Sequence, residues 1–132
     1  MSDFDASVER LVVRDTRYPR EAYLYLRAAL DFTQALHNRT GHVSVTELLE
    51  GIRQYTLKEY GPMSMLLLEE WGIRSCADLG ELVFNLIAEG ELRKTEQDRR
   101  EDFAAGYDFF EAFRKPYLPS EPRPYPSSSP GA

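Results

Sequence analysis

Residues 72–113 read GIRSCADLGELVFNLIAEGELRKTEQDRREDFAAGYDFFEAF, and this stretch decides which fold the whole chain is expected to adopt. Ser75 followed three residues later by Asp78 caps a helix. Leu79, Leu82, Val83, Leu86 and Ile87 supply its apolar stripe, and Gly90 stops it. Residues 91–95 (ELRKT) are then short and extended, residues 96–102 form a fully polar tip, and Phe103 begins a return strand. Asp108 with Glu111 offers a further box for a last helical turn carrying Phe109, Phe110 and Phe113. Helix, glycine stop, strand, tip and strand is how a winged-helix domain ends, its third helix feeding the wing.

Working outward, the upstream chain supplies the remaining helices. Phe4, Val8, Leu11 and Val12 recur at helical spacing in a short first segment. After a break at residues 15–18, Pro19 fits the first turn of a long helix in which Ala22, Tyr25, Leu26, Ala29, Phe32, Thr33 and Leu36 form one stripe. Asn38, Thr40 and Gly41 make a turn, and the short extended piece at His42 and Val43 is a candidate first strand. Ser44 and Glu47 form a capping box that opens a helix through Leu48, Leu49, Ile52, Tyr55, Thr56 and Tyr60, ended by Gly61 and Pro62. Residues 63–71 form a helix with so many apolar positions that burial on more than one side is expected, closed by Gly72.

The expected fold is therefore mainly α: a winged-helix-like helical domain over residues 1–115 with a β-hairpin wing. An all-helical domain carrying an isolated hairpin is the rival, which periodicity does not separate from it. The departure from the winged-helix order is the extra helix at residues 63–71. From residue 116 onward the composition changes to six prolines and four serines with no periodicity, which reads as a disordered tail with polyproline character.

Several ordered motifs resemble one small bacterial family: YPREAYLYLRAAL, HVSVTELLEGI, the YGPM turn with EEWGI, and DLGELVFNLIAEGELRKTEQDRREDF followed by YDFFEAF. The sequence is similar over residues 8–115 to conserved hypothetical proteins described from planctomycete- and verrucomicrobium-type bacteria. The resemblance supports the domain limits. It implies no activity, cofactor or catalytic residue, because the family has none established.

Composition limits the function classes. In a chain of 132 residues, 22 Asp and Glu against 16 Lys and Arg give a net charge of −6, against the basic field that phosphate neutralisation favours. The lone cysteine, Cys76, rules out an intramolecular disulfide and fits a reducing cytoplasm. No basic and apolar leader opens the chain, and the longest apolar run is too short to span a bilayer, so a soluble cytoplasmic protein without membrane contact is expected.

Nucleic-acid binding is the role a winged helix first suggests. The helix that would enter the groove has no Lys or Arg from Ser75 to Glu91, carries Asp78, Glu81, Glu89 and Glu91, and offers only Asn85 as a base reader. The wing cations Arg93, Lys94, Arg99 and Arg100 are offset by Glu96, Asp98, Glu101 and Asp102. A non-catalytic protein-interaction or accessory module is the favoured reading, with another protein as partner and Arg93, Lys94, Arg99, Arg100 and Glu101 as the candidate surface. A nucleic-acid-binding regulator using the same cations is the alternative. RNA contact through Arg17, Arg20 and Arg27 beside Tyr18, Tyr23 and Tyr25 is a third reading.

Catalytic signals are weak. His37 and His42 flank a turn without further ligands, so no metal is expected. Cys76 sits in a first helical turn, where the dipole could lower its pKa, but no base accompanies it and a half-buried structural thiol is favoured. Glu69–Glu70 and Glu101–Asp102 are sequence neighbours, which do not face one another on a helix. No phosphate-loop, dinucleotide or nucleophile-elbow motif is present, so no cofactor and no enzyme activity are expected.

Overall fold

The computed structural model describes residues 3–38, 43–93 and 99–119. Six α-helices follow in order among them: α1 (Asp3–Arg14), α2 (Arg20–Leu36), α3 (Val45–Tyr60), α4 (Ser64–Glu70), α5 (Cys76–Ala88) and α6 (Arg100–Ala104). A tight turn, Gly61–Met63, joins α3 to α4, and a wide helical turn, Phe110–Arg114, followed by a tight one, Lys115–Tyr117, ends the described chain. Helix α2 lies centrally, packed against α1, α3 and α5, while α6 packs on α5 and the wide turn on α4.

The helix ends follow local chemistry. Both halves of the capping box form at α3: Glu47 N–H donates to Ser44 Oγ at 3.1 Å, and Ser44 N–H donates to Glu47 Oε1 at 2.9 Å. Gly72 and Gly90 both adopt φ +78°. Past each, the next N–H reaches back five residues, Ile73 to Leu68 O at 2.8 Å and Glu91 to Leu86 O at 2.9 Å. These are Schellman closures, which need the left-handed residue that glycine supplies without strain.

Two close approaches hold the layers. A Cβ built on Gly51 would lie 1.9 Å from Thr33 Oγ1, so the α2–α3 crossing admits no side chain there. Across the same pair Tyr25 Oη and Thr56 Oγ1 are 2.5 Å apart. Thr56 spends its single hydroxyl hydrogen on Ile52 O, so Tyr25 is the donor to Thr56.

The expected wing is absent: no strand occurs among the described residues, so the winged-helix-like assignment with its β-hairpin is overturned. Of the residues placed on the outgoing strand, 91 and 92 form bends, residue 93 has no regular structure, and the Lys94–Thr95 end lies outside the described residues. The return segment is α6. Its sequence, REDFA, has no apolar alternation, places Glu101 and Asp102 in the first turn where the helix dipole favours them, and buries only Phe103. Phe103 is 1% exposed and seats against Gly80, where a Cβ would come within 2.7 Å of its own. Its ring also meets Phe84 edge-on at 6.2 Å. Burying one phenylalanine is worth about 1.5–3 kcal/mol, more than the hydrogen bonds of a two-stranded ribbon whose faces are both polar. The candidate first strand also fails: Val43 is buried without strand pairing, and His42 lies outside the described residues.

Candidate functional site

Four of the five residues expected to form the interaction surface lie among the described residues, and all four are exposed. Arg93 and Arg99 are exposed, Glu101 lies exposed in the first turn of α6, and Lys94 lies outside the described residues. Arg100 turns back to the body, its Nε 3.3 Å from Glu81 Oε2 and its guanidinium 4.9 Å from the centre of the Phe84 ring.

The helix that a nucleic-acid reading would place in the groove spends its polar side chains internally. Asn85 Nδ2 donates to Asp15 Oδ2 and to Tyr23 Oη, both at 3.0 Å. Glu81 holds Arg17 as well as Arg100, each at 3.3 Å. Glu89 receives Arg10 at 2.9 Å and Arg14 at 3.1 Å, and Glu91 accepts from Ser7 Oγ at 2.8 Å. Asp78 accepts from Tyr18 Oη at 2.5 Å and from Arg74 N–H at 2.9 Å. The acidic face of α5 is thus a row of sockets for α1, the α1–α2 turn and α6. Asp15 is held well below the ordinary carboxylate range, chiefly by the Arg17 guanidinium and also by Asn85.

The RNA reading loses its geometry. Tyr18, Tyr23 and Tyr25 are at most 3% exposed, so they offer no stacking platform. Arg17 is paired with Asp15 and Glu81, Arg20 with Glu9, and Arg27 with Asp31 at 3.6 Å.

Cys76 lies beneath Tyr107, its Sγ donating to Tyr107 O at 3.4 Å. Burial pushes its thiol up to about 11, against the lowering that a helix start alone would give. His37 Nδ1 stands 3.8 Å from Glu47 Oε2. Among the described residues no group of three or more His, Cys, Asp or Glu is arranged to hold a metal ion, and no helix is long and apolar enough to cross a membrane.

What the sequence reading missed is an apolar face around α4. Met63 and Leu66, expected to be buried, are 50% and 55% exposed. Phe110 is 45% exposed while Phe109 and Phe113, four residues apart and on one helical face, are buried. Tyr117 and Leu118 add 42% and 40% exposure. Beside them the half-buried rings of Tyr60 and Trp71 meet edge-on at 5.9 Å, and Tyr55 stands 6.4 Å from Tyr60. The carboxylates bordering this face, Glu59, Glu69 and Glu70, are exposed and make no ion pair among the described residues. One signal was available: α4 carries more apolar residues than one stripe of a seven-residue helix can bury. No family model, curated protein or solved structure matches this chain.

Proposed function

We propose that this chain is a non-catalytic protein-interaction or accessory module that docks its partner on the face carrying Met63, Leu66, Phe110, Tyr117 and Leu118. One observation carries the reading. Of the eight large apolar side chains exposed by 40% or more among the described residues, four of these five stand on elements linked by contacts to one another, and Leu118 follows directly on the last of them. Exposed apolar groups concentrated in one region mark interaction sites more often than scattered ones do. The partner this face fits is a protein segment with an apolar stripe and flanking Lys or Arg, because Glu59, Glu69 and Glu70 border it without an ion pair among the described residues. Nucleic acid fits the same border poorly, since three carboxylates repel phosphate.

The test pairs Leu66→Asp with the control Val13→Asp, a residue 79% exposed on the distant α1. A partner cross-linked in the source cells is identified, purified and recombined with each variant. Loss of binding by tenfold or more with L66D, about 1.4 kcal/mol, and retention with V13D is the expected result. Equal binding by both variants overturns the reading. Salt-dependent micromolar binding of random duplex or single-stranded oligonucleotides in fluorescence anisotropy, unaffected by L66D, replaces it with the nucleic-acid alternative.

A further inference from the structure

We propose that the rings of Tyr55, Tyr60 and Trp71, with the Glu59 carboxylate beside them, receive an arginine side chain of another protein. The site uses none of the apolar positions named for docking, so it goes beyond that reading and does not rest on it.

Ring geometry is the first observation. Tyr25, at 3% exposure, touches all three rings, 6.0 Å from Tyr55, 6.3 Å from Tyr60 and 5.3 Å from Trp71. The three are half-buried, and neighbours meet edge-on, Tyr55 with Tyr60 at 90° and Tyr60 with Trp71 at 77°. An edge-on contact covers a face of only one ring of the pair, and each ring keeps part of its surface in solvent. A cation already stands on this row, which is the second observation. Phe32, 5.7 Å from Tyr55, carries Lys58 Nζ 5.6 Å from its ring centre. No cation stands over Tyr55, Tyr60 or Trp71 among the described residues.

Charge is the third observation, and it selects the cation. Glu59 follows Tyr55 by four residues within α3, which sets both on one helix face. It is exposed and makes no ion pair among the described residues. The Tyr55 phenol is pushed above its usual value by burial first, then by Tyr60 and Glu59, so the carboxylate's charge is felt at the ring. A ring face beside a carboxylate suits a guanidinium, whose plane stacks on the ring while its in-plane N–H groups fork onto the carboxylate. A lysine ammonium is a more strongly hydrated point charge, and a quaternary ammonium has no N–H to donate to Glu59.

Trp71 is the only tryptophan, so its indole N–H resonance reports on the site in the full chain without ambiguity. Three capped tripeptides are titrated at constant ionic strength: acetyl-Gly-Arg-Gly-amide, the same peptide with citrulline, which keeps the shape of arginine without its charge, and the same peptide with trimethyllysine. The arginine peptide is expected to shift the Trp71 resonance saturably and to bind about fivefold more tightly than the citrulline peptide. Glu59→Gln should weaken arginine binding about threefold and leave citrulline unchanged, and its exposed position keeps this test independent of folding. Tyr60→Leu should weaken arginine binding further, and Tyr60→Phe, which keeps the ring, should not. Equal binding of the arginine and citrulline peptides, no saturable shift, or arginine binding unchanged in E59Q overturns the proposal. Tighter binding of the trimethyllysine peptide overturns the guanidinium in favour of a quaternary ammonium. Arginine binding together with equal partner binding by L66D and V13D supports this site and overturns the docking reading, and the reverse pattern does the opposite.

Discussion

Where α1, α5 and α6 meet, Asp78, Glu81, Glu89 and Glu91 each have a cation or hydroxyl of another segment within hydrogen-bond or ion-pair distance. Around α4, Glu59, Glu69 and Glu70 have no such counterpart among the described residues, and the apolar side chains between them remain exposed. The two faces carry the same kind of charge and differ in what it does. On the first, carboxylates orient helices that apolar contacts have already brought together. On the second, they border a surface with nothing described upon it. Charge count alone therefore says little about a partner until the internal pairings are known.

The strongest way to break the comparison is to remove the apolar anchor beneath the braced face. Phe103→Ala leaves the ion pairs chemically intact but empties the seat against Gly80 and Phe84. We expect a loss of about 3–5 kcal/mol in urea unfolding. A loss under 1 kcal/mol would mean that the ion pairs, not the ring, hold α6. That outcome would contradict the small worth of pairs whose arginines are about 50–60% exposed.

Asp15→Asn tests the polar side of the brace. It removes the charge facing Arg17, and its new amide would confront Asn85 Nδ2, donor against donor. A destabilisation of about 2 kcal/mol is expected at neutral pH. Because the folded pKa of Asp15 lies below its ordinary value of 3.8, the unfolded state binds the proton more readily. The stabilisation from Asp15 is complete above that value and fades as pH falls towards the folded pKa. Glu50, lowered from 4.5 to about 2 chiefly by Arg53, adds a loss of the same sign across that interval. Urea midpoints of the native protein and D15N should therefore converge as the pH is lowered from 5 to about 2.5. A constant gap would assign the D15N effect to packing rather than charge.

The smallest expected effect sharpens the contrast from the other side. Leu66→Asp should change stability by no more than about 0.5 kcal/mol, because the side chain is more than half exposed and borders solvent. A large destabilisation would show that the open face is a structural seam, as the sequence reading of residues 63–71 supposed.

The helix caps and stops were legible in the sequence because each is a local bargain between a side chain and its own backbone. Ser44 with Glu47, Ser75 with Asp78, and the glycines at 61, 72 and 90 all stand where they were read. What was not legible is tertiary. Phe103 stands alone in a charged run, so no period identifies its element. Only the groove at Gly80, more than twenty residues earlier, makes a helix the better use of it. Asn85 looked like a base reader because its partners, Asp15 and Tyr23, are distant in sequence. The exposure of Leu66 and Phe110 likewise depends on which neighbours pack against α4 and against the Phe110–Arg114 turn, which no local pattern states.

Cys76 has a practical use that follows from its burial. Its sulfur sits under the Tyr107 carbonyl and against the position where a Cβ on Gly106 would stand, 2.9 Å away. A disulfide reagent can reach it only when Gly106 and Tyr107 lift from the start of α5. Labelling rates in native buffer thus time the opening of the same segment that carries Phe110 to the docking face. The chain contains its own clock for the motion that would remodel its surface.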